Sequence, residues 1–215
     1  MVLGSSPSGP TNFFNALVYP ARHILAGHQI SPTPMPRVLI LYATAEGQTA
    51  RIAERIAQRL RDKGHTVKSH RADAIPAGVD LAAYDGVMLG ASIHYGYHPG
   101  YLRALVRRQH AALTSRPTAF FSVSLSASGS GARTETARRY LETFLRQADW
   151  HPPQTATFAG ALQYSKYGTF KKLLMRLIAH MVGNDTDTTR DYEYTDWDAV
   201  ERFADAFAQR QNVGR

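Results

Sequence analysis

The chain has 215 residues, 44% hydrophobic and 20% charged, enough to bury one sizeable core without covalent or metal staples. It has no cysteine, which excludes disulfide scaffolds, thiol catalysis, iron–sulfur clusters and Cys-type zinc sites together. Lys plus Arg number 25 against 17 Asp plus Glu, giving a formal net charge of +8, and no apolar run approaches the roughly 18 residues of a membrane-spanning helix.

Residues 1–36 are unlike the rest. They carry Pro7, Pro10, Pro20, Pro32, Pro34 and Pro36, four serines, and Arg22 as their one charged side chain. Such a stretch reads as a disordered arm or a targeting leader, with the folded domain expected over 37–210. If it is a leader, the protein belongs in mitochondria. If not, it belongs in the cytoplasm, peripheral on the inner membrane face.

From Arg37 onward the pattern is regular. Val38-Leu39-Ile40-Leu41-Tyr42 is a continuous apolar run, as expected of a parallel strand buried on both faces. Ile52, Ile56 and Leu60 then share a helix face, and Gly64 ends the helix. Thr66–Arg71 reads as a second strand and Asp85–Ala91 as a third. One helix is expected to carry Leu102, Leu105, Val106 and Leu113. Pro117–Val123 reads as a fourth strand, Thr134–Gln147 as a helix, Thr155–Leu162 as a fifth strand and Trp197–Gln209 as a closing helix. Strands alternating with helices predict an α/β doubly wound parallel sheet. Ligands of such sheets bind beyond the carboxyl ends of the strands.

The loops at those ends carry the chemistry. After strand one comes Ala43-Thr44-Ala45-Glu46-Gly47-Gln48-Thr49, opening directly into a helix. Bare N–H groups at a helix start, with hydroxyls beside them, suit a phosphate. Thr44 and Thr49 supply the hydroxyls, Gly47 the close approach, and Thr49 is also a candidate helix cap. Neither a Walker A loop nor a dinucleotide-binding glycine pattern is present. The strand followed by Thr-x-x-Gly-x-Thr resembles the flavodoxin phosphate loop. That resemblance implies FMN, a five-stranded sheet in the order 2-1-3-4-5, and Thr44, Ala45, Glu46, Gly47, Gln48 and Thr49 as cofactor-binding residues. Glu46 departs from the flavodoxin pattern. A carboxylate facing a phosphate is costly, so its side chain is expected to point outward with only the N–H contributing.

Strand three leads into Ser92-Ile93-His94-Tyr95-Gly96, and strand four into Ser124-Leu125-Ser126 and a run of small residues. An aromatic face and small neighbours suit a planar ring, so these residues are the expected flavin contacts. The loop after strand four reads as flexible. His94 and His98 lack the company a metal site needs, and no metal is expected.

Acidic residues are missing from long stretches. None lies between Asp85 and Glu135, where Arg103, Arg107, Arg108, Arg116 and Arg133 occur. Such a surface attracts anions. No nucleic-acid motif accompanies it, so nucleic acid is not the expected partner. Within 163–187, Phe170, Leu173, Leu174, Leu177, Ile178 and Met181 form one apolar helical stripe beside Lys171, Lys172 and Arg176. This predicts an insertion helix, packed on the core or lying on a membrane.

Five segments together are more specific than any one: Gly90-Ala91-Ser92-Ile93-His94-Tyr95-Gly96, Phe121-Ser122-Val123-Ser124-Leu125, Ala159-Gly160-Ala161-Leu162-Gln163-Tyr164, Asp185-Thr186-Asp187-Thr188 and Tyr194-Thr195-Asp196-Trp197. From about Arg37 to Gln209 the chain resembles the menaquinone-dependent protoporphyrinogen IX dehydrogenase family. The resemblance implies FMN-dependent oxidation of protoporphyrinogen IX in haem synthesis, with electrons passing to a membrane quinone. Peripheral membrane contact would run through the basic insertion helix, and a homo-oligomer is compatible with the sequence. His94 and Tyr95 become the candidate catalytic residues. Arg103 and Arg133 become the candidates for the two propionates of the substrate. A flavodoxin-like NAD(P)H:quinone reductase and a non-enzymatic electron carrier remain as alternatives, although carriers of this fold are usually acidic.

Overall fold

The first apolar run folds as expected because it has a hydrophobic layer on each side. In the computed structural model, which describes residues 35–162 and 191–213, β1 spans Arg37–Ala43, with Val38, Leu39, Ile40 and Leu41 fully buried. Successive side chains of a strand point to opposite faces. Val38 and Ile40 therefore join one core with Ile52, Ile56 and Phe207, and Leu39 and Leu41 join another with Leu89, Phe120 and Trp150. The predicted extension, up to residue 34, and the predicted insertion helix within 163–187 lie outside the described residues.

The remaining elements follow in chain order. They are α1 (Gln48–Asp62), β2 (Thr66–Arg71), β3 (Gly86–Ser92), α2 (Gly100–Arg108), α3 (His110–Thr114), β4 (Thr118–Ser124), α4 (Ala132–Ala148), β5 (Gln154–Ala159), β6 (Ala161–Leu162), β7 (Tyr192–Glu193) and α5 (Trp197–Val213). The five main strands are all parallel, in the order β2-β1-β3-β4-β5. This is the flavodoxin-like arrangement. β1 leads through α1 to β2 on its one side, and β3 lies on its other side, so the connections part at the ends of β1 and β3 and leave a crevice there.

Two predicted elements divide. The expected helix over 102–113 breaks at Gln109 into α2 and α3. Arg107 Nη2 donates to the Gln147 carbonyl at 2.8 Å and His110 Nε2 bonds the Asp149 carbonyl at 2.9 Å, so both sides of the break are tied to the end of α4. The expected fifth strand also divides. Its pairing with β4 stops at Ala159, opposite Ser124, where β4 itself ends. Beyond Gly160, Ala161 and Leu162 pair antiparallel with Glu193 and Tyr192, residues far along the chain.

One glycine is fixed by packing. A Cβ at Gly90 would lie 2.0 Å from Cζ of Phe121, its fully buried partner across the β3–β4 register. Close-packed interiors do not absorb such an overlap. Gly90→Ala should destabilise the fold by about 1–3 kcal/mol, read as a lower midpoint in urea unfolding.

Candidate functional site

The turn after β1 is built around a left-handed glycine. Gly47 has φ 96° and precedes the first residue of α1, and no side chain caps the helix. Thr44 holds the turn, its Oγ1 accepting the Gly47 N–H at 2.9 Å. The first N–H groups of a helix have no acceptor within it, and the helix dipole makes that end positive. There is no acidic residue in the first turn to offset it. Thr49 stands there 1% exposed, and its hydroxyl has no hydrogen-bond partner. The expectation that Thr49 caps the helix is therefore not met: Thr49 lies inside the helix, past the cap position.

A cleft of about 80 Å³ opens at this point, lined by Thr44, Gln48 and Thr49 from the first turn, Ser92–His94 from the second loop, and Ser124 and Leu125 from the third. It admits a group of phosphate size. The two flanking loops are stitched to the sheet: Ile93 N–H donates to the Val123 carbonyl at 2.8 Å and Gly160 N–H to the Ser124 carbonyl at 3.1 Å. Ser124 contributes a second buried hydroxyl without a partner. Two orphaned hydroxyls facing one cleft are costly unless a ligand uses them. Glu46 is half-buried and lines this cleft, so its side chain does not stand clear of it as expected. Ala45 is exposed and outside the lining.

Gln48 is buried, and its Nε2 donates to Glu193 Oε1 at 3.0 Å and to Thr195 Oγ1 at 2.8 Å. Thr195 donates in turn to the Ala159 carbonyl, and Arg51 meets Glu193 Oε2 at 3.0 Å. This network locks the β6–β7 ribbon to the start of α1. Sequence reasoning missed it, since nothing local pairs Gln48 with residues about 145 positions away.

The second loop is a hairpin. His94 and Tyr97 exchange both backbone hydrogen bonds, at 2.9 and 3.1 Å. Tyr95 at φ 49° and Gly96 at φ 85° occupy its corner, the pattern of a type I′ turn. A bulky residue in the left-handed region is strained by about 1–3 kcal/mol. The turn directs its residues to two sites. Ser92, Ile93 and His94 line the cleft, whereas Tyr95 and Gly96 line a separate cavity of about 550 Å³ against α4. Tyr95 and Gly96 thus do not join the other expected cofactor contacts. Arg103 lines the larger cavity, held by Gln147 Oε1 at 2.6 Å. Arg133 does not line it. Its guanidinium packs over Gly129, where a Cβ would lie 2.0 Å from Nε.

The loop after β4, expected to be flexible, is a 3-10 turn over Leu125–Ser128. Ser128 donates to the Leu125 carbonyl at 2.7 Å and Thr134 to the Gly129 carbonyl at 2.9 Å. Small hydroxyl residues bond their own backbone and order the turn. Ser126 sits half-buried within it, outside the cleft lining.

His98 turns inward. Its Nε2 shares a 2.9 Å hydrogen bond with the buried Ser122 Oγ, and its ring packs against Phe120 and Phe144. Burial pushes its pKa down to about 3, so the imidazole is neutral near neutral pH.

A family model described as a flavodoxin domain matches residues 39–189. A protoporphyrinogen IX dehydrogenase (quinone) from Leishmania major is 39% identical over 177 residues, covering 80% of this chain and 75% of that protein. The protein of the same name from Escherichia coli K12 is 36% identical over 171 residues, covering 78% and 92%. Oxidised flavodoxin 1 from Bacillus cereus superposes with a TM-score of 0.50 at 17% identity, covering 80% of this chain and 97% of that one.

His98 yields a pH prediction. Its pKa is about 3 when folded and roughly 6.5 when unfolded, so the unfolded chain binds the proton better between those values. The stability it contributes is complete above the unfolded pKa and drains away as pH falls toward the folded one. His98→Gln should flatten the fall in unfolding free energy between about pH 6 and 4, by up to about 1.4 kcal/mol per pH unit. Urea unfolding at a series of pH values measures this.

Proposed function

The chain belongs to the flavodoxin-domain family and, within it, to the quinone-dependent protoporphyrinogen IX dehydrogenases; on that premise we propose that it binds FMN and oxidises protoporphyrinogen IX to protoporphyrin IX, with a quinone as acceptor. One observation carries the cofactor assignment. A buried, unpartnered Thr49 hydroxyl faces the cleft at the uncapped start of α1. That donor set fits a phosphate monoester.

Thr44, Gly47 and Thr49 would hold the phosphate, and the 92–94 and 124–125 backbones would flank the ring. FMN, when bound, supplies the two-electron redox chemistry, and the protein supplies position and electrostatics. Gln48 lines the cleft with its amide nitrogen already committed to Glu193 and Thr195, bonds that tie the start of α1 to the β6–β7 ribbon. Glu46 sets a limit on that end of the site. Its carboxylate lies in the same lining, so a fully ionised phosphate there needs the helix N–H groups and both threonines to outweigh it.

His94 lines the cleft and packs its ring edge-on to Tyr95 at 4.2 Å between centroids. It stands between the two sites, and its imidazole nitrogen is our candidate for moving substrate protons. Conversion of protoporphyrinogen to protoporphyrin removes six hydrogens. Three quinones take them up and leave as three quinols, so the balance closes without another oxidant. Membrane contact through the basic stretch at Lys171, Lys172 and Arg176 would bring the protein to its quinone. Location would follow the first 36 residues, mitochondrial if they act as a leader and otherwise on the cytoplasmic face of the inner membrane.

Adding protoporphyrinogen IX and a menaquinone analogue to FMN-loaded protein should produce porphyrin fluorescence well above the uncatalysed rate. No gain over that rate overturns the reading. Thr49→Val separates the cofactor contact from the fold. It should leave stability without FMN unchanged or slightly higher, because the lost hydroxyl has no partner, yet weaken FMN binding by about 10-fold or more. Flavin fluorescence quenching gives the dissociation constant.

A further inference from the structure

The cavity on the far side of the 94–97 turn is about seven times the volume of the cleft, about 550 Å³ against about 80 Å³, and falls in the range of small-molecule sites. Its charge is one-sided. Arg103 and Arg139 line it, and no Asp or Glu does. The neighbouring Arg138 is bound by Glu135 and Glu142, the acids of α4 one turn to either side. Arg139 makes no ion pair among the described residues. Arg103 is held by Gln147, a neutral amide that positions the guanidinium without neutralising it. On α1, by contrast, Arg55, Arg59 and Lys63 pair with Glu201 and Asp205 of α5.

The remaining walls are aromatic. Tyr95 is 70% exposed and Tyr97 72% exposed, both at the cavity, and Tyr140 and Phe144 face them from α4. Tyr95 reaches its place through the left-handed backbone at the corner of the turn. Strain at a solvent-exposed aromatic is not repaid by burial, which points to a ligand. His98 lies at this cavity but stays neutral, so the fixed positive charge is that of two guanidiniums.

We propose that this cavity is the porphyrinogen subsite, in which Arg103 and Arg139 take the two propionates and Tyr95 and Tyr97 wall the macrocycle. The assignment rests on the function proposed above and adds where the substrate sits. It replaces Arg133 by Arg139 as the partner of Arg103. Ser92–His94 face the cleft and Tyr95–His98 face the cavity, so the two sites share one hairpin as a wall.

The test uses FMN-loaded protein and two fluorescent probes at fixed ionic strength: protoporphyrin IX, which keeps both propionates, and its dimethyl ester, which has neither charge. The parent protein should bind the diacid more tightly than the ester. Arg139→Gln should weaken the diacid by about 10-fold and the Arg103→Gln, Arg139→Gln pair by more, with ester binding and FMN affinity unchanged. The KM for protoporphyrinogen should rise while kcat changes little. Should the Arg103 variant fold poorly, Arg139→Gln alone decides, since its side chain is exposed and makes no ion pair among the described residues. Unchanged diacid binding in the variants, or equal loss of diacid and ester, overturns the subsite. Failure of the parent protein to turn over protoporphyrinogen overturns the functional reading beneath it instead.

Discussion

The uncapped start of α1 is the constraint that organises this molecule. Helix geometry leaves its first N–H groups without acceptors, and the chain does nothing to supply one from a side-chain cap. Thr44 is committed to Gly47, and Thr49 is buried with its hydroxyl idle. A side-chain cap is closed to this turn, because the cap position is Gly47 at φ 96°, a backbone conformation Ser or Asp would adopt only with strain. The fold keeps the cost, and surrounds the exposed end with two loops stitched to β4. A site that is unsatisfied alone and satisfied by an anion is a site preorganised for that anion.

The sheet explains why the loops arrive there. Parallel pairing of β1, β3 and β4 brings Ala43, Ser92 and Ser124 to one edge, and the crossing of connections at β1 and β3 opens it. The Phe121 ring lies over Gly90 on the neighbouring strand and fills the space a side chain there would take, just before the hairpin begins. The hairpin then divides the edge in two. Its first residues serve the small anion-binding cleft, and its corner serves the larger cationic cavity. One strand end thus supplies both sites, which keeps them adjacent without a second domain.

Much of this was legible in the sequence, and the parts that were not have physical reasons. The continuous run Val38–Leu41 announces burial on two faces, and the structure delivers it as two separate cores. Thr44, Gly47 and Thr49 sit at a strand-to-helix junction whose chemistry is local, so spacing alone places them. The turn at Tyr95 was not readable, because a left-handed tyrosine has no compositional signature; an Asn or Gly there would have declared it. Nor was the choice between Arg133 and Arg139. Both lie on α4, Arg133 at its start and Arg139 near its middle, and their roles depend on Gly129 beneath one and on the acids that occupy Arg138 beside the other. The division of the fifth strand follows from a ribbon partner some 30 residues away, beyond the reach of any periodicity.

The larger cavity also bears on why this fold is an enzyme rather than a carrier. A carrier passes electrons through an exposed ring edge and needs no second volume. Removing six hydrogens from one substrate in three rounds places a different demand on the protein, because partly oxidised species must stay at the ring while quinone restores the acceptor. Macrocycles change shape as they are oxidised, but their two propionates do not. Fixed cations at the rim therefore grip the one part of the molecule that is constant through the sequence, and tyrosine faces accommodate the part that flattens.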